Sequence, residues 1–346
     1  MRKDQEEIRF RQKDAFAVYS LPGTKSHTIV YAEDRGWVTH PTQSPAYFIQ
    51  SFDHKGQEPT SIVADHVIHD APFHCDVRER TEVVSTSEED YLSIARETID
   101  AIRRNEFGKV VISKVKRIPR YRGKVYDLFI DLKMRYPSAF VFLYHVPGRG
   151  YWCGATPEVL LRRTERSYRT MALAGTQRDK GQDLEDAFWG SKEQYEQRVI
   201  ETFVEGRLED AFISFRKRGP YTVRAGQVLH ICSEYFIDRE ASMRILSERL
   251  HPGPAICGLP QDDAREWIKM YEHHDRGDYC GYTGPWGIDN EHALYVNLRS
   301  MSIWKNAYLL YLGGGLTAQS EAREEWEETE LKAQTLLSAI EQTQSV

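Results

Sequence analysis

Short apolar and aromatic runs, broken by glycine, proline and aspartate, recur along this chain of 346 residues and constrain its fold more than any other feature. The runs "AFVFLYHV" and "YWCGA" flank "PGRG", which predicts a β-hairpin. Further strands are predicted at "KVVISKVKRI", "SYRTMALAGT", "LYVNLRSMSIW" and "AYLLYLGGG". Hairpin signals outnumber strand–helix–strand signals. The pattern therefore predicts an α+β fold with antiparallel β-sheets rather than a doubly wound parallel sheet.

Helices are predicted where apolar residues recur at helical spacing. The first follows a cap at Thr86 or Ser87 and ends at Gly108. Thr156 and Pro157 in "TPEVLLRR" form another helix-start signal. Longer helices are predicted around "VYDLFIDLKMRYP", over 191–216, over 261–273 and from about 321.

The region 1–85 is rich in short strands and differs in character from 86–346. Short strands of this kind need a larger sheet to join. We therefore expect 1–85 to be integrated into the fold of 86–346 rather than to form a separate domain.

Composition excludes several classes of protein. The chain is 40% hydrophobic and 28% charged, as in globular proteins, and its net charge is −6 with no basic stripe, so no nucleic-acid partner is expected. No run of about eighteen apolar residues predicts a membrane span, and the charged N-terminus shows no secretory signal. The five cysteines are widely spaced without a CxxC pair, which is typical of reduced thiols. A cytoplasmic protein is expected.

Two charged residues lie where apolar neighbours should enclose them. Lys109 opens the apolar strand "KVVISKVKRI", and it is either a surface lysine with a buried stem or a desolvated amine. Glu196 precedes Val199, Ile200 and Phe203 at helical spacing, so it lies at the edge of an apolar stripe. A carboxylate there needs a positive partner, unless it is a solvated residue near a helix start.

The last helix opens with "EAREEWEETE", and Glu325, Glu328 and Lys332 fall on one of its faces. Acidic runs usually mark a solvated helix start. Carboxylates gathered beside a core-facing stripe also suit a hard divalent cation, because magnesium takes one or two protein carboxylates with water and an anionic ligand.

Two features nearby suit an anionic ligand. The run "GGG" at 313–315 could present backbone amides to an anion, although a tight turn is an equal alternative and a nucleotide-binding turn a weaker one. Arg299 lies within an apolar strand pattern and is either paired with an acid or a receptor for a carboxylate.

These motifs together resemble one family. In chain order, the motifs "KVVISK", "GATPEVLL", "ALAGT", "LHPGPAICGLP", "DRGDYCGYTGPWG", "LRSM", "GGGL" and "EWEETELK" are similar to those of chorismate-utilising enzymes, and they span roughly 90–346. The family includes isochorismate, salicylate, anthranilate and aminodeoxychorismate synthases. The resemblance implies their fold, with antiparallel sheets at the core and helices outside.

The resemblance also implies a reaction. Members that add water to chorismate carry lysine at the position of Lys109, as general base, whereas ammonia-using members typically carry glutamine. Glu158 matches the general acid that protonates the departing C4 hydroxyl. Aminodeoxychorismate synthases often carry a nucleophilic lysine where this chain has Ala174, so that covalent route is not expected.

The remaining implied roles are binding roles. The resemblance makes Glu196 and Glu328 ligands of Mg²⁺, with Glu325 close by. The implied substrate-binding residues are Thr176, His251, Tyr279, Arg299, Gly314, Gly315 and Lys332. The chain departs from the family pattern at Gln197, where histidine is common, and at Gly253, where threonine is common.

The function implied first is that of an isochorismate synthase, an isomerase serving menaquinone or siderophore biosynthesis. Salicylate synthase, which adds pyruvate elimination, is the nearest alternative, and a chorismate-binding protein without turnover is another. Anthranilate synthase fits less well because of Lys109. No glutaminase subunit is expected, and the protein is expected to be a monomer or a weak homodimer.

Overall fold

The computed structural model describes residues 7–39, 45–53, 59–79, 85–225, 228–238 and 240–345. The α-helices within them are α1 (Glu88–Arg103), α2 (Val125–Arg135), α3 (Ser191–Glu209), α4 (Met243–Leu250), α5 (Gln261–Tyr271) and α6 (Ala322–Ser345). The first ten strands are β1 (Ile8–Phe10), β2 (Phe16–Ser20), β3 (Thr28–Tyr31), β4 (Ala46–Gln50), β5 (Thr60–Val63), β6 (His66–His69), β7 (Phe73–Cys75), β8 (Lys109–Pro119), β9 (Phe140–Val146) and β10 (Gly150–Thr156). They are followed by β11 (Val159–Arg163), β12 (Ser167–Arg178), β13 (Phe215–Ala225), β14 (Val228–Asp238), β15 (Gly258–Leu259), β16 (Tyr282–Ile288), β17 (Glu291–Val296), β18 (Ser300–Ile303) and β19 (Ala307–Leu316).

Most strands belong to two large antiparallel sheets. One has nine strands in the order β15-β8-β19-β18-β10-β9-β2-β3-β6, and the other has eight in the order β13-β14-β12-β11-β17-β16-β4-β5. A short parallel pair, β1 with β7, lies apart from them. The α+β prediction with antiparallel sheets is confirmed, as is the predicted hairpin, which forms β9 and β10.

The sheets pack face to face around a shared apolar core. The rings of Phe140 on β9 and Tyr295 on β17 stack with centroids 4.0 Å apart, which joins one sheet to the other. The opposite face of the nine-stranded sheet is covered by α2 and α6, which contribute Leu128 and Leu336 to a second core cluster. The helices therefore lie outside the sheets, as the sequence predicted. Among the described residues, none of the helices is long and apolar enough to span a lipid bilayer.

The strands before residue 86 are divided between the two sheets. β2, β3 and β6 extend the nine-stranded sheet beyond β9, while β4 and β5 extend the eight-stranded sheet beyond β16. Residues 1–6, 40–44, 54–58 and 80–84 lie outside the described part of this region. We propose on this basis that 1–85 and 86–346 form one folding unit.

Three predicted elements differ in the structure. The helix predicted over 191–216 ends at Glu209, because the chain then turns into β13, which pairs along β14. "TPEVLLRR" begins no helix: Val159–Arg163 is strand β11, whose apolar residues pack in the core. "LYVNLRSMSIW" is two strands, β17 and β18, which belong to different sheets.

The chain passes from one sheet to the other at two places that position the site. Residues 157–158 connect β10 in the nine-stranded sheet to β11 in the eight-stranded sheet, and residues 297–299 connect β17 to β18 in the reverse direction. Glu158 and Arg299 both lie in these connections. Arg299 has a φ of +49°, a backbone conformation that a continuous strand would not contain.

Candidate active site

A cavity at these crossings gathers most of the residues singled out in the sequence. Its walls come from both sheets and from α3 and α6. The predicted residues that line it are Lys109, Glu158, Thr176, Glu196, Tyr279, Arg299, Gly315, Glu328 and Lys332. Residues separated by more than 200 positions in the chain thus meet in one place.

Lys109 is a buried amine rather than a surface lysine. Only 3% of the residue is exposed, and its side chain passes over the backbone of Gly315. A Cβ placed on Gly315 would lie 2.6 Å from Cε of Lys109 and 3.0 Å from Nζ. Within the described part of the chain, Lys109 makes no hydrogen bond or salt bridge, so its amine is free to meet a ligand in the cavity.

Glu158 faces the same cavity and can hold a proton near neutral pH. Desolvation raises the pKa of its carboxyl to about 7, against the opposing pull of the Lys109 and Arg299 charges. Its carboxylate makes no hydrogen bond to any described residue. A carboxyl group poised in this way can donate a proton to a bound ligand.

Arg299 is held by a histidine that the sequence analysis did not select. Nη2 of Arg299 lies 3.2 Å from Nε2 of His230, and Nδ1 of that ring lies 2.7 Å from the carbonyl oxygen of Gly175. These distances assign the proton to Nδ1, which donates to Gly175, and leave Nε2 to accept from Arg299. Burial, followed by the Arg299 charge, lowers the pKa of His230 to about 3, so the ring is neutral.

The other contacts of Arg299 orient it further. Nη1 donates to Oγ1 of Thr335 on α6 at 3.2 Å. Thr176 lies beside the histidine, with its Oγ1 3.4 Å from Nδ1 of His230. The arginine is therefore fixed by neutral groups, and its charge is left for an anion. An apolar strand pattern that contains one histidine, "HICSEYFID", was the available signal for His230.

Glutamates and lysines of α3 and α6 lie along one wall of the cavity and directly behind it. Lys332 pairs with Glu328 at 2.7 Å and also donates to the carbonyl oxygen of Gly313 at 3.0 Å. Burial raises the pKa of Glu328, but the charge and hydrogen bond of Lys332, together with the charge of Lys192, hold that pKa below its usual value. Lys192, which the sequence analysis did not select, pairs with Glu325 at 2.7 Å.

Glu196 differs from these paired acids. It makes no hydrogen bond or ion pair to a described residue. Burial raises the pKa of its carboxyl, and Glu328 and Glu325 raise it further against the opposing charge of Lys109. A carboxylate in that position would be stabilised by added positive charge.

Two carboxylates beside the cavity are available to a hard divalent cation. Among the described residues, no group of three or more histidine, cysteine, aspartate and glutamate side chains is arranged to hold a metal ion. Mg²⁺ needs only one or two protein carboxylates, since water and an anionic ligand complete its shell. Glu196 and Glu328 supply oxygen donors of that kind beside the cavity.

Three residues predicted for the site do not line the cavity. Nε2 of His251 lies 2.8 Å from the carbonyl oxygen of Cys280, and the ring packs edge-on against Tyr282. Glu325 is directed to Lys192. Gly314 faces away from the cavity, toward Glu325 and helix α1.

The glycine run is part of a strand rather than a turn. It lies within β19 and pairs with β8 from Gly313 opposite Ser113 to Gly315 opposite Val111. Successive residues of a strand face opposite sides of the sheet, so Gly313 and Gly315 border the cavity while Gly314 does not. Among the described strands, β18 stops pairing with β19 at Tyr311, which leaves one edge of the run open to a ligand.

Comparison with known proteins places these features in context. The family model described as "Chorismate binding enzyme" matches residues 39–341. A protein of Pseudomonas aeruginosa named "Salicylate biosynthesis isochorismate synthase" is 28% identical over 254 residues, which cover 70% of this chain and 53% of that protein. "Isochorismate synthase MenF" of Escherichia coli is 28% identical over 59% of this chain and 49% of its own length. The chain thus spans about half the length of the curated relatives it matches.

Solved structures show the same fold. The structure of MenF, the menaquinone-specific isochorismate synthase from Escherichia coli, superposes with a TM-score of 0.81 at 19% identity, over 95% of this chain and 89% of that one. Anthranilate synthase component I from Streptococcus pneumoniae superposes with a TM-score of 0.66 at 15% identity, over 93% and 92%.

Proposed function

Because the chain belongs to the family of chorismate-binding enzymes, we propose that it is an isochorismate synthase, which converts chorismate reversibly to isochorismate. The single observation that carries the proposal is that Lys109 and Glu158 face one cavity as a free amine and a carboxyl group with a pKa of about 7. A base and an acid that meet a ligand together are what a hydroxyl exchange requires.

In the proposed reaction, the Lys109 amine accepts a proton from a water molecule as the water oxygen bonds to C2 of the ring. Both conjugated double bonds of the ring shift by one position, and the bond from C4 to its hydroxyl breaks. Glu158 donates a proton to that hydroxyl, which leaves as water. One water enters and one leaves, so atoms and charge balance. Proton transfers of this kind typically contribute about 10² to 10⁴ in rate each.

The substrate carries two carboxylates, and the cavity offers a cationic group and open backbone amides. Arg299, fixed by His230 and Thr335, and the open edge of the glycine run are the receptors we propose for the enolpyruvyl carboxylate. Glu196 and Glu328 would hold Mg²⁺, which when bound neutralises the ring carboxylate.

Lysine at position 109 favours water over ammonia as the nucleophile. An anthranilate synthase activity would need ammonia or a glutaminase partner, and neither is part of the proposal. Salicylate synthase remains the second candidate. It shares the base and the acid, and the relative from Pseudomonas aeruginosa is named for salicylate biosynthesis.

The test is product analysis by chromatography after incubation of the protein with chorismate, with and without Mg²⁺. We expect isochorismate to form only with Mg²⁺, together with residual chorismate because the reaction is reversible. Stoichiometric pyruvate and fluorescent salicylate would favour the second candidate. Binding of chorismate without any product would contradict both.

Lys109→Ala separates binding from turnover. We expect the variant to bind chorismate with nearly unchanged affinity and to form no isochorismate, because Arg299 and the glycine run remain. Gly206→Ala is the control, since Gly206 lies on α3 with no atom within 4 Å of an added Cβ. Unchanged turnover in Lys109→Ala would refute the base assignment.

A further inference from the structure

Strand β8, which begins with Lys109, lies near the edge of its sheet, and its outer neighbour pairs with only a short part of it. β8 pairs along its length with β19, but on its other side β15 pairs only with Lys109 and Val110. Beyond that point the outer backbone groups of β8 need other partners, because unpaired buried N–H and C=O groups are costly. The N–H of Val111 donates to the carbonyl oxygen of Cys257 at 2.8 Å, whereas the carbonyl of Val111 and the N–H of Ser113 have partners from two side chains.

These two side chains are Glu272 and Arg276, which form a buried ion pair after helix α5. Nη2 of Arg276 lies 2.6 Å from Oε1 of Glu272, and Nε lies 2.8 Å from Oε2. Arg276 is 4% exposed and Glu272 is 8% exposed. Pairing of this geometry is rigid, because two parallel hydrogen bonds fix both groups in one plane.

The ion pair takes the place of the missing neighbouring strand. Nη2 of Arg276 donates to the carbonyl oxygen of Val111 at 2.7 Å. Glu272 accepts from the backbone N–H of Ser113 at 2.6 Å and from its hydroxyl at 3.0 Å. The carbonyl of Val111 and the N–H of Ser113 are thereby satisfied on the outer side of β8.

The same arginine joins β8 to other walls of the cavity. Nη1 of Arg276 donates to the carbonyl oxygen of Ile256 at 2.8 Å. Ile256 and Val111 both line the cavity, and Tyr279, three residues after Arg276, lines it as well. One guanidinium therefore connects three segments of the site: β8, the loop before β15, and the loop before β16.

We propose that Glu272 and Arg276 are positioning residues that hold Lys109 at its catalytic distance. Lys109 and Val111 lie on the same face of β8, so a shift of the strand at Val111 moves the amine. The inference rests on the proposed function, because it assigns Lys109 as the base. Neither residue of the pair lines the cavity.

Arg276→Lys tests the proposal. Lysine keeps the charge beside Glu272, but its single ammonium cannot donate to Val111, Ile256 and both oxygens of Glu272 at once. A displacement of about 1 Å in a reacting group costs about 100-fold in rate, so we expect kcat to fall by about 10- to 100-fold. KM for chorismate should stay within about threefold, since Arg299 and the glycine run are untouched.

Arg35→Lys is the matched control. Nη1 of Arg35 also donates to a buried acid, Asp14, at 2.9 Å and to a backbone carbonyl, that of Arg9, at 2.8 Å. Arg35 follows β3 and Asp14 precedes β2, and both strands lie toward the opposite edge of the nine-stranded sheet from β8. We expect its kcat to match the wild type even if its melting temperature falls.

The kcat and KM values, measured on protein whose chorismate-binding stoichiometry has been titrated, decide the outcome. If the pair has a purely structural role, Arg276→Lys lowers the binding stoichiometry or the melting temperature but leaves kcat per binding site unchanged. An unchanged kcat per binding site would overturn the inference. If Arg276→Lys does not fold, Ser113→Ala decides, because it leaves the ion pair in place and removes one hydroxyl, which donates to Oε2 of Glu272 and lies 3.0 Å from Nε2 of His274. A fall of about two- to fivefold in kcat at constant KM supports the inference, and an unchanged kcat refutes it.

Failure of the inference and failure of the proposed function give different results. If the wild-type protein forms no isochorismate, the proposed function fails before any variant is compared. If the wild type forms isochorismate and Arg276→Lys does so at the same kcat, only the positioning role is wrong.

Discussion

Substitution of Gly315 by alanine is a direct way to move the amine of Lys109 without removing it. The backbone of Gly315 is not in the left-handed region, so alanine causes no strain of its own. Its methyl group would lie 2.6 Å from Cε of Lys109. Carbon atoms prefer a separation of about 3.5 to 4.0 Å, so the lysine side chain must shift by about 1 Å.

The size of the effect follows from that shift. Misplacement of a catalytic group by about 1 Å costs about 100-fold in rate, which corresponds to about 2.7 kcal/mol in the activation barrier. The displaced group is the flexible end of a side chain, so the fold should accommodate it. We therefore expect kcat for isochorismate formation to fall by about 100-fold while the melting temperature stays close to that of the wild type.

The assay compares initial rates at saturating chorismate for the wild type, Gly315→Ala and the control Gly314→Ala. An added Cβ on Gly314 would meet Glu325 at 3.2 Å and the hydroxyl of Tyr91 at 3.3 Å, away from the cavity. The control should lose stability and keep kcat within about threefold. If Gly315→Ala folds and retains the full kcat, the position of Lys109 does not limit the reaction.

Three further outcomes are expected. The acid form of Glu158 is needed for protonation, so kcat/KM should fall as pH rises through about 7, and Glu158→Gln should lose about 10²- to 10⁴-fold in rate together with this pH dependence. A pH profile that keeps the same descending limb in the variant would exclude Glu158 as its source. Lys192→Met leaves the buried Glu325 without its partner, so the free energy of unfolding measured with urea should fall by about 3 kcal/mol. A variant as stable as the wild type would contradict the pairing. Gly253→Ala should raise the free energy of unfolding by about 0.4 to 1 kcal/mol, because alanine restricts the backbone of the unfolded chain. The added Cβ has room in the folded protein, since it meets only Leu250 at 3.5 Å and Phe203 at 3.8 Å. A lower denaturation midpoint would show that the loop needs glycine.

The sequence predicted the parts of the site that depend on local periodicity. Lys109 at the start of an apolar strand and Glu328 beside Lys332 on one helix face are patterns that a strand or helix places without outside help. The structure has both in the cavity, and the i, i+4 spacing of Glu328 and Lys332 gives the pair at 2.7 Å. The α+β class followed from hairpin signals for the same reason.

The features that were missed depend on contacts between distant segments. The pattern of "TPEVLLRR" contains nothing that distinguishes a helix start from a crossing between two sheets, and the break in β-structure at Arg299 appears only when β17 and β18 join different sheets. His230 is likewise a single histidine in an apolar strand pattern, which gives no sign of its role. Its contact with Arg299, at 3.2 Å, joins residues 69 positions apart in the chain. His251 was predicted to bind substrate, but the fold directs its Nε2 to the carbonyl of Cys280.

In the proposed reaction a water molecule, activated at Lys109, supplies the new hydroxyl group. Incubation of the protein with chorismate and Mg²⁺ in H₂¹⁸O, followed by mass spectrometry of the product, shows where that oxygen comes from. We expect isochorismate with a single ¹⁸O at C2. Isochorismate without ¹⁸O would mean that the hydroxyl group migrates within the substrate and that Lys109 activates no water.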